Sequence, residues 1–252
     1  YDRLRRANDD IEREHALALH EQQEKLRIKR QLTNNINHEL KTPVAAIRGY
    51  LETILSTPDI EPEVRDRFLV RCDAQSRRLA QLLDDVSTLT RLDEGSAVIS
   101  LGEVDAAAVV DEIASDMASL PEHDRMRLRS SLPHPLCVRG NASLVESIFR
   151  NLVDNAVAHS GGRDIFVSTF DAGEDQYGII FADNGIGVDS EHIGHIFERF
   201  YRVDKGRSRK SGGTGLGLSI VKHAVQFHGG EISVANRAEG GLEFHFTLPR
   251  AR

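Results

Sequence analysis

The chain has 252 residues, 40% of them apolar and 28% charged, which excludes a disordered or collagen-like polymer and gives enough length for two domains with cores of their own. A formal net charge of −7 excludes a generally basic nucleic-acid binder, since phosphate contacts need clustered Lys and Arg. No stretch approaches the run of ~20 apolar residues that crosses a bilayer, and Cys72 and Cys137 sit in apolar patterns without CxxC spacing, as two reduced thiols of a cytoplasmic protein with no metal or redox role would. Because Tyr1 stands directly in a helical pattern, the chain reads as the cytoplasmic part of a longer protein whose membrane anchor would lie upstream.

Leu4, Ile11 and Ala18 recur every seven residues, and Leu19, Leu26, Thr33 and Leu40 do so again with the register moved by one. This predicts a coiled-coil signalling helix over 1–30, whose offset would locally change supercoiling; a solvated helix with an irregular pattern is the alternative. From Ile36 the stripe becomes regular through Leu40, Val44, Ile47, Leu51 and Ile54, one face of an α-helix. Thr57, Pro58 and Asp59 break it. A second stripe runs through Val64, Phe68, Cys72, Gln75, Leu79, Leu82, Val86 and Leu89, with Pro62 suited to a first helical turn. Two helices with one stripe each cannot enclose a core, so the hairpin over 31–96 is expected to pair with a second copy as a homodimeric four-helix bundle.

Small residues collect from Asp93 to Gly102 and the periodicity stops, marking a boundary and a hinge. Beyond it, over 97–252, helical patterns at 105–118, 142–158 and 216–228 interleave with strand-like runs: Ile165 to Phe170, Tyr177 to Ala182, Ile232 to Ala235 and Leu242 to Leu248. In the last, Leu242, Phe244, Phe246 and Leu248 alternate with Glu243, His245 and Thr247, a sheet with one face on a core. With hairpin turns at Asp171 to Gln176 and Arg237 to Gly241, the sheet is mainly antiparallel with helices on one face. The fold class is α+β.

At 100° per residue His38 points almost opposite the apolar stripe of its helix and faces solvent. Glu39 is adjacent, and a carboxylate beside an imidazole can take a proton from one ring nitrogen and sharpen the other as a nucleophile. Thr42 is one turn on, on the same face, and Pro43 removes an N–H and crowds the preceding carbonyl. Farther on, Asn151, Asn155 and His159 stack on one face of a helix whose other face holds Val145, Ile148, Leu152 and Ala156. Asn is a poor helix former, and its amide oxygen suits magnesium. Asp183-Asn184-Gly185-Ile186-Gly187 ends a strand and sets a carboxylate where an adenine amino group could donate to it, with glycines that let the backbone approach the base. Gly212 to Ser219 open a helix with unobstructed N–H groups, a ready phosphate site; the absence of a preceding β-α-β unit rejects a dinucleotide-binding reading. Between them, Lys205, Arg207, Arg209 and Lys210 could form a cationic lid over a triphosphate.

These segments carry a resemblance. His38-Glu39-Leu40-Lys41-Thr42-Pro43 is similar to the H-box of two-component sensor histidine kinases, Asn151 to Ala156 to their N-box, and Asp183 to Gly187 to their first glycine box. Phe197 to Asp204 resembles the F-box and Gly212 to Ser219 the second glycine box, in the family's order. The resemblance implies a Bergerat-type α/β sandwich for the C-terminal part and a kinase that moves the γ-phosphoryl of Mg-ATP to His38, from which an aspartate of a response-regulator receiver domain takes it. It assigns Glu39 as base and Thr42 to regulator dephosphorylation. It assigns Asn151, Asn155, His159, Asp183, Gly185, Gly187, Arg202, Gly213, Thr214, Gly215, Leu216, Gly217 and Leu218 to ATP, with Asn151 and Asn155 on Mg2+. One departure is Ala158, where the family often has Lys or Arg; a phosphate contact is then missing or is supplied by the lid. Two competitors are an ATP-hydrolysing conformational machine, which has no use for an exposed His38 beside Pro43, and a scaffold that binds nucleotide without transfer, which Ala158 motivates.

Overall fold

The computed structural model describes residues 2–94, 99–119, 126–203 and 213–251. The chain divides into two compact units, Tyr1–Leu79 and Ala80–Arg252. That division falls inside a helix and not at the small-residue segment near Gly102.

In the first unit the predicted coiled-coil segment and the histidine-bearing segment are one helix, α1 (Asp2–Ser56), which continues through Pro43. The side chains of Leu4, Ile11 and Ala18 lie outside the described ones; Leu19 and Leu26 are exposed. Helix α2 (Pro62–Glu94) begins on its proline, where the missing N–H costs nothing. The turn between them is closed by Ile60 N donating to Thr57 O at 3.2 Å. Three contacts fix the pairing: Tyr50 stacks on Phe68 at 5.4 Å, Cys72 Sγ reaches Ile47 O at 3.8 Å, and Arg78 binds Glu39 at 3.1 Å. One number rises as the other falls, so the helices run antiparallel. Ile36, Leu40, Ile47 and Ile54 are half-buried, yet Val44, Leu51, Leu55, Leu69 and Val70 stay exposed, so a single hairpin leaves much of its apolar surface in water.

The second unit starts with the last turns of α2, where Leu82, Leu89 and Leu92 are buried. It continues through β1 (Gly102–Asp105), α3 (Ala106–Ala118), β2 (Arg127–Ser130), β3 (Cys137–Gly140), α4 (Ala142–His159), β4 (Asp164–Phe170), β5 (Gln176–Asp183), the short α5 (Ser190–Ile193), α6 (Gly217–Phe227), β6 (Ile232–Asn236) and β7 (Leu242–Pro249). The main sheet has the order β2-β4-β5-β7-β6; β2 lies parallel to β4 and the other neighbours are antiparallel. β1 and β3 form a separate antiparallel pair. Side chains of β7 alternate as predicted, with Leu242, Phe244, Phe246 and Leu248 buried. They share one core with Ile148, Phe149 and Leu152 of α4 and Val221, Ala224 and Val225 of α6. The sheet's inner face and these two helices therefore form the layers that position the site.

Helices α3 and α4 are tied at their starts. Asp105 caps α3, its Oδ1 accepting from Ala107 N at 3.0 Å, and Asn141 caps α4, accepting from Leu144 N at 3.2 Å, as short polar residues do at N-caps. His228, just beyond α6, joins two of these elements: its Nε2 accepts from Asn141 N at 3.0 Å, and its Nδ1 bonds Ala224 O at 2.6 Å.

Candidate active site

A cavity of about 830 Å³ opens in the second unit, between α4, α6, the end of β5 and the turn joining β6 to β7. This lies within the ~300–1,000 Å³ typical of small-molecule sites. Asn151, Asn155, His159, Asp183, Gly187, Arg202, Gly213, Thr214, Gly215, Gly217 and Leu218 all line it, so residues spread over many segments of sequence converge on one wall. Gly185 and Leu216 do not. A Cβ at Gly185 would stand 2.1 Å from Ser160 O, so this glycine serves the approach of the loop to the end of α4. Leu216 is fully buried beneath the start of α6.

On α4, the Asn151 amide nitrogen donates to Ser147 O at 2.8 Å. This turns Oδ1 toward the start of α6, where it would meet a Cβ on Gly217 at 2.7 Å. A hard oxygen donor is thus presented at the helix terminus, with Asn155 one turn on in the same wall; oxygen donors of this kind suit Mg2+ completed by phosphate oxygens. No group of three His, Cys, Asp or Glu able to hold a metal exists among the described residues, so phosphates would have to supply part of any such shell. Helix α6 begins without a side-chain cap, leaving its first N–H groups for an anion.

Asp183 is buried at the floor. Its Oδ1 accepts from Gly185 N at 2.8 Å and its Oδ2 from Leu242 N at 3.3 Å, while Arg237 donates to its carbonyl at 2.9 Å. Gly241 backs onto it: with φ +93, a Cβ there would lie 2.0 Å from Asp183 O. At the mouth, desolvation and then the Arg202 guanidinium hold the His159 imidazole below its ordinary range, so near neutrality it is an uncharged ring. Phe200 adopts φ 65, which a non-glycine residue enters only at a cost, and it is held there by its N–H donating to Gly215 O at 2.8 Å. The F-box is thereby tied to the glycine segment. Lys205, Arg207, Arg209, Lys210 and Gly212 lie outside the described residues.

Several wall residues were not foreseen. Arg237, Gly240 and Gly241 belong to a turn read only as a hairpin; Tyr201, Asn236 and Asp154 also face the cavity. Gln81 and Asp85 come from α2, and Thr214 donates to Asp85 Oδ2 at 2.6 Å.

In the first unit His38 is exposed, as helical phase predicts. Thr42 Oγ1 donates back to His38 O at 3.3 Å, keeping the hydroxyl beside it. Glu39 is half-buried and its carboxylate accepts from Arg78, across the hairpin and not from the imidazole.

The comparisons agree with this geometry. Residues 28–95 match the family model for the His Kinase A (phospho-acceptor) domain, and residues 140–252 match that for histidine kinase-, DNA gyrase B- and HSP90-like ATPases. The chain is 34% identical to the sensor-like histidine kinase SenX3 of Mycolicibacterium smegmatis over 98% of its own length and 65% of that protein. It is 31% identical to the phosphate regulon sensor protein PhoR of Haemophilus influenzae over 89% of itself and 52% of that protein. The chain thus spans between half and two thirds of these relatives. Among solved structures it shares the fold of the Acinetobacter baumannii histidine kinase AdeS, at 20% identity and a TM-score of 0.66 over 84% of this chain and 97% of that one.

Proposed function

The chain belongs to the two-component sensor histidine kinases, and from that membership we propose that it transfers the γ-phosphoryl group of ATP to His38 and passes it to an aspartate of a response-regulator receiver domain. The convergence of Asn151, Asn155, His159, Asp183 and the start of α6 on one cavity carries this reading. Asp183 and the Gly187 loop receive the base, while the uncapped α6 N-terminus, Thr214 and Arg202 hold the phosphates. Asn151 and Asn155 would hold Mg2+, which when bound neutralises phosphate charge as the bond to the leaving group lengthens. His38 supplies the nucleophilic nitrogen, and its exposure lets a donor approach in line. Glu39 acts as base by leaving Arg78 for the imidazole. Arg202 at the cavity supports supply of the phosphate contact that Ala158 lacks.

The exposed Val44, Leu51, Leu55, Leu69 and Val70 support a homodimer in which a second hairpin covers them as a four-helix bundle. Domain limits of 1–30, 31–96 and 97–252 remain the proposed division by role. Among the described residues no helix is long and apolar enough to cross a membrane; the relatives extend beyond this chain and two of them carry sensor names, which supports a membrane-anchored whole with this part in the cytoplasm. Incubation with γ-labelled ATP and magnesium tests the kinase. Label is expected on the wild-type chain and none on His38→Gln; label that survives the substitution overturns the assignment.

A further inference from the structure

We propose that Asp85 is a latch on the nucleotide site: a carboxylate from α2 that occupies the phosphate end of the cavity and that ATP must displace. The proposal rests on the nucleotide reading above and deepens it. Asp85 is buried at 4% exposure, accepts the Thr214 hydroxyl at 2.6 Å and the Gln81 amide at 2.9 Å, and lies in the cavity wall with Asp154. Thr214 stands three residues before the first residue of the uncapped α6 and also accepts from Leu216 N at 3.2 Å, so the latch engages the loop that would meet phosphate. Burial raises the pKa of both Asp85 and Asp154, and the Asp85 carboxylate adds to the rise at Asp154. A site for a polyanion that contains two carboxylates is poorly matched to its ligand while the latch is closed.

The latch is anchored at a distance from the cavity. Leu82, Leu89 and Leu92 bury the same helix face, and Arg199 grips Asp93 with two bonds of 2.7 and 3.1 Å while touching His223 at 3.0 Å. About four turns of α2 are therefore clasped onto the nucleotide unit at two polar points. The same helix begins in the other unit, so the latch is covalently continuous with the hairpin that carries His38's partner helix. Nucleotide binding and closure of α2 are then antagonistic, each weakening the other by the same factor.

A charge latch makes a graded prediction. Titration calorimetry of the full chain with adenosine, ADP and ATP in magnesium should show that Asp85→Asn, which removes the charge while its oxygen can still accept from Gln81 and its NH2 can donate to the Thr214 hydroxyl, tightens ATP roughly tenfold, ADP by less, and adenosine not at all. Asp93→Asn, outside the cavity wall, should loosen the clasp and reproduce the same order with smaller gains. Equal gains for all three ligands, or none, overturn the latch while leaving the nucleotide site intact. Failure of the wild type and both variants to bind any of the three removes the nucleotide site itself.

Discussion

The surroundings of His38 and of Asp183 are built on opposite principles. His38, Lys41 and Thr42 are exposed, and the Thr42 hydroxyl bonds back to its own helix. Asp183 is 2% exposed, has both carboxylate oxygens engaged by backbone N–H groups, and is pressed by a glycine that has no room for a side chain. On the proposed reading His38 is a phosphoryl acceptor, which must be reachable from outside, so its helix has only to point it outward. On the same reading the cavity at Asp183 is the donor site, which must hold one ligand in one pose, so sheet, helix and loop fix each group from several sides. Substitutions should accordingly cost stability at the donor and cost rates at the acceptor.

The largest effect is expected at Gly241. Ala there meets backbone at 2.0 Å on a residue with φ +93, and should cost on the order of 3 kcal/mol or more in chemical denaturation, with loss of nucleotide binding. A wild-type midpoint would break the claim that the floor is rigid. At the acceptor, Thr42→Ala should slow dephosphorylation of the regulator at least about tenfold, while stability moves by less than ~0.5 kcal/mol. Unchanged dephosphorylation with kinase activity intact would remove Thr42 from that role. The smallest effect sharpens the contrast within the hairpin. Arg78 and Glu39 are 12% and 27% exposed, so Arg78→Met should cost about 1 kcal/mol. The Arg48–Glu52 pair is 77% and 61% exposed, and Arg48→Met should leave the unfolding midpoint unchanged. Equal costs would mean that the cross-hairpin pair has no special weight.

Much of this was legible in the sequence because period and chemistry coincided. The stripe from Ile36 to Ile54 turned His38 outward, and the alternation of β7 placed Phe244 and Phe246 in the core; helix and strand limits beyond the boundary fell within about one residue of those observed. Strands β1, β2 and β3 were missed because four residues are too few to show a period, and β2 reads Arg-Leu-Arg-Ser, without an apolar run. Asp85 was missed for a different reason. On one helix it is an ordinary acid beside Asp84, and only tertiary packing brings it to Thr214, 129 positions away. Arg237 and Gly241 were read as a turn, which they are; that the turn closes a wall depends on the register of β5 against β7, where Ala182 pairs with Glu243. The bond of Glu39 to Arg78 was not legible either: helical geometry gives Glu39 a different face from His38, and only the pairing of the two helices shows that this face looks at Arg78.

The two bonds of His228 have a consequence for protons. One ring nitrogen donates to Ala224 O and the other accepts from Asn141 N, a pattern only the neutral ring can satisfy, and burial holds its pKa below the ordinary value. The unfolded chain therefore binds more protons than the folded one as pH falls below ~6.5, and stability present above that pH is lost through the folded pKa. Folding in this range expels protons into solution, and the heat of unfolding comes to depend on which buffer supplies them.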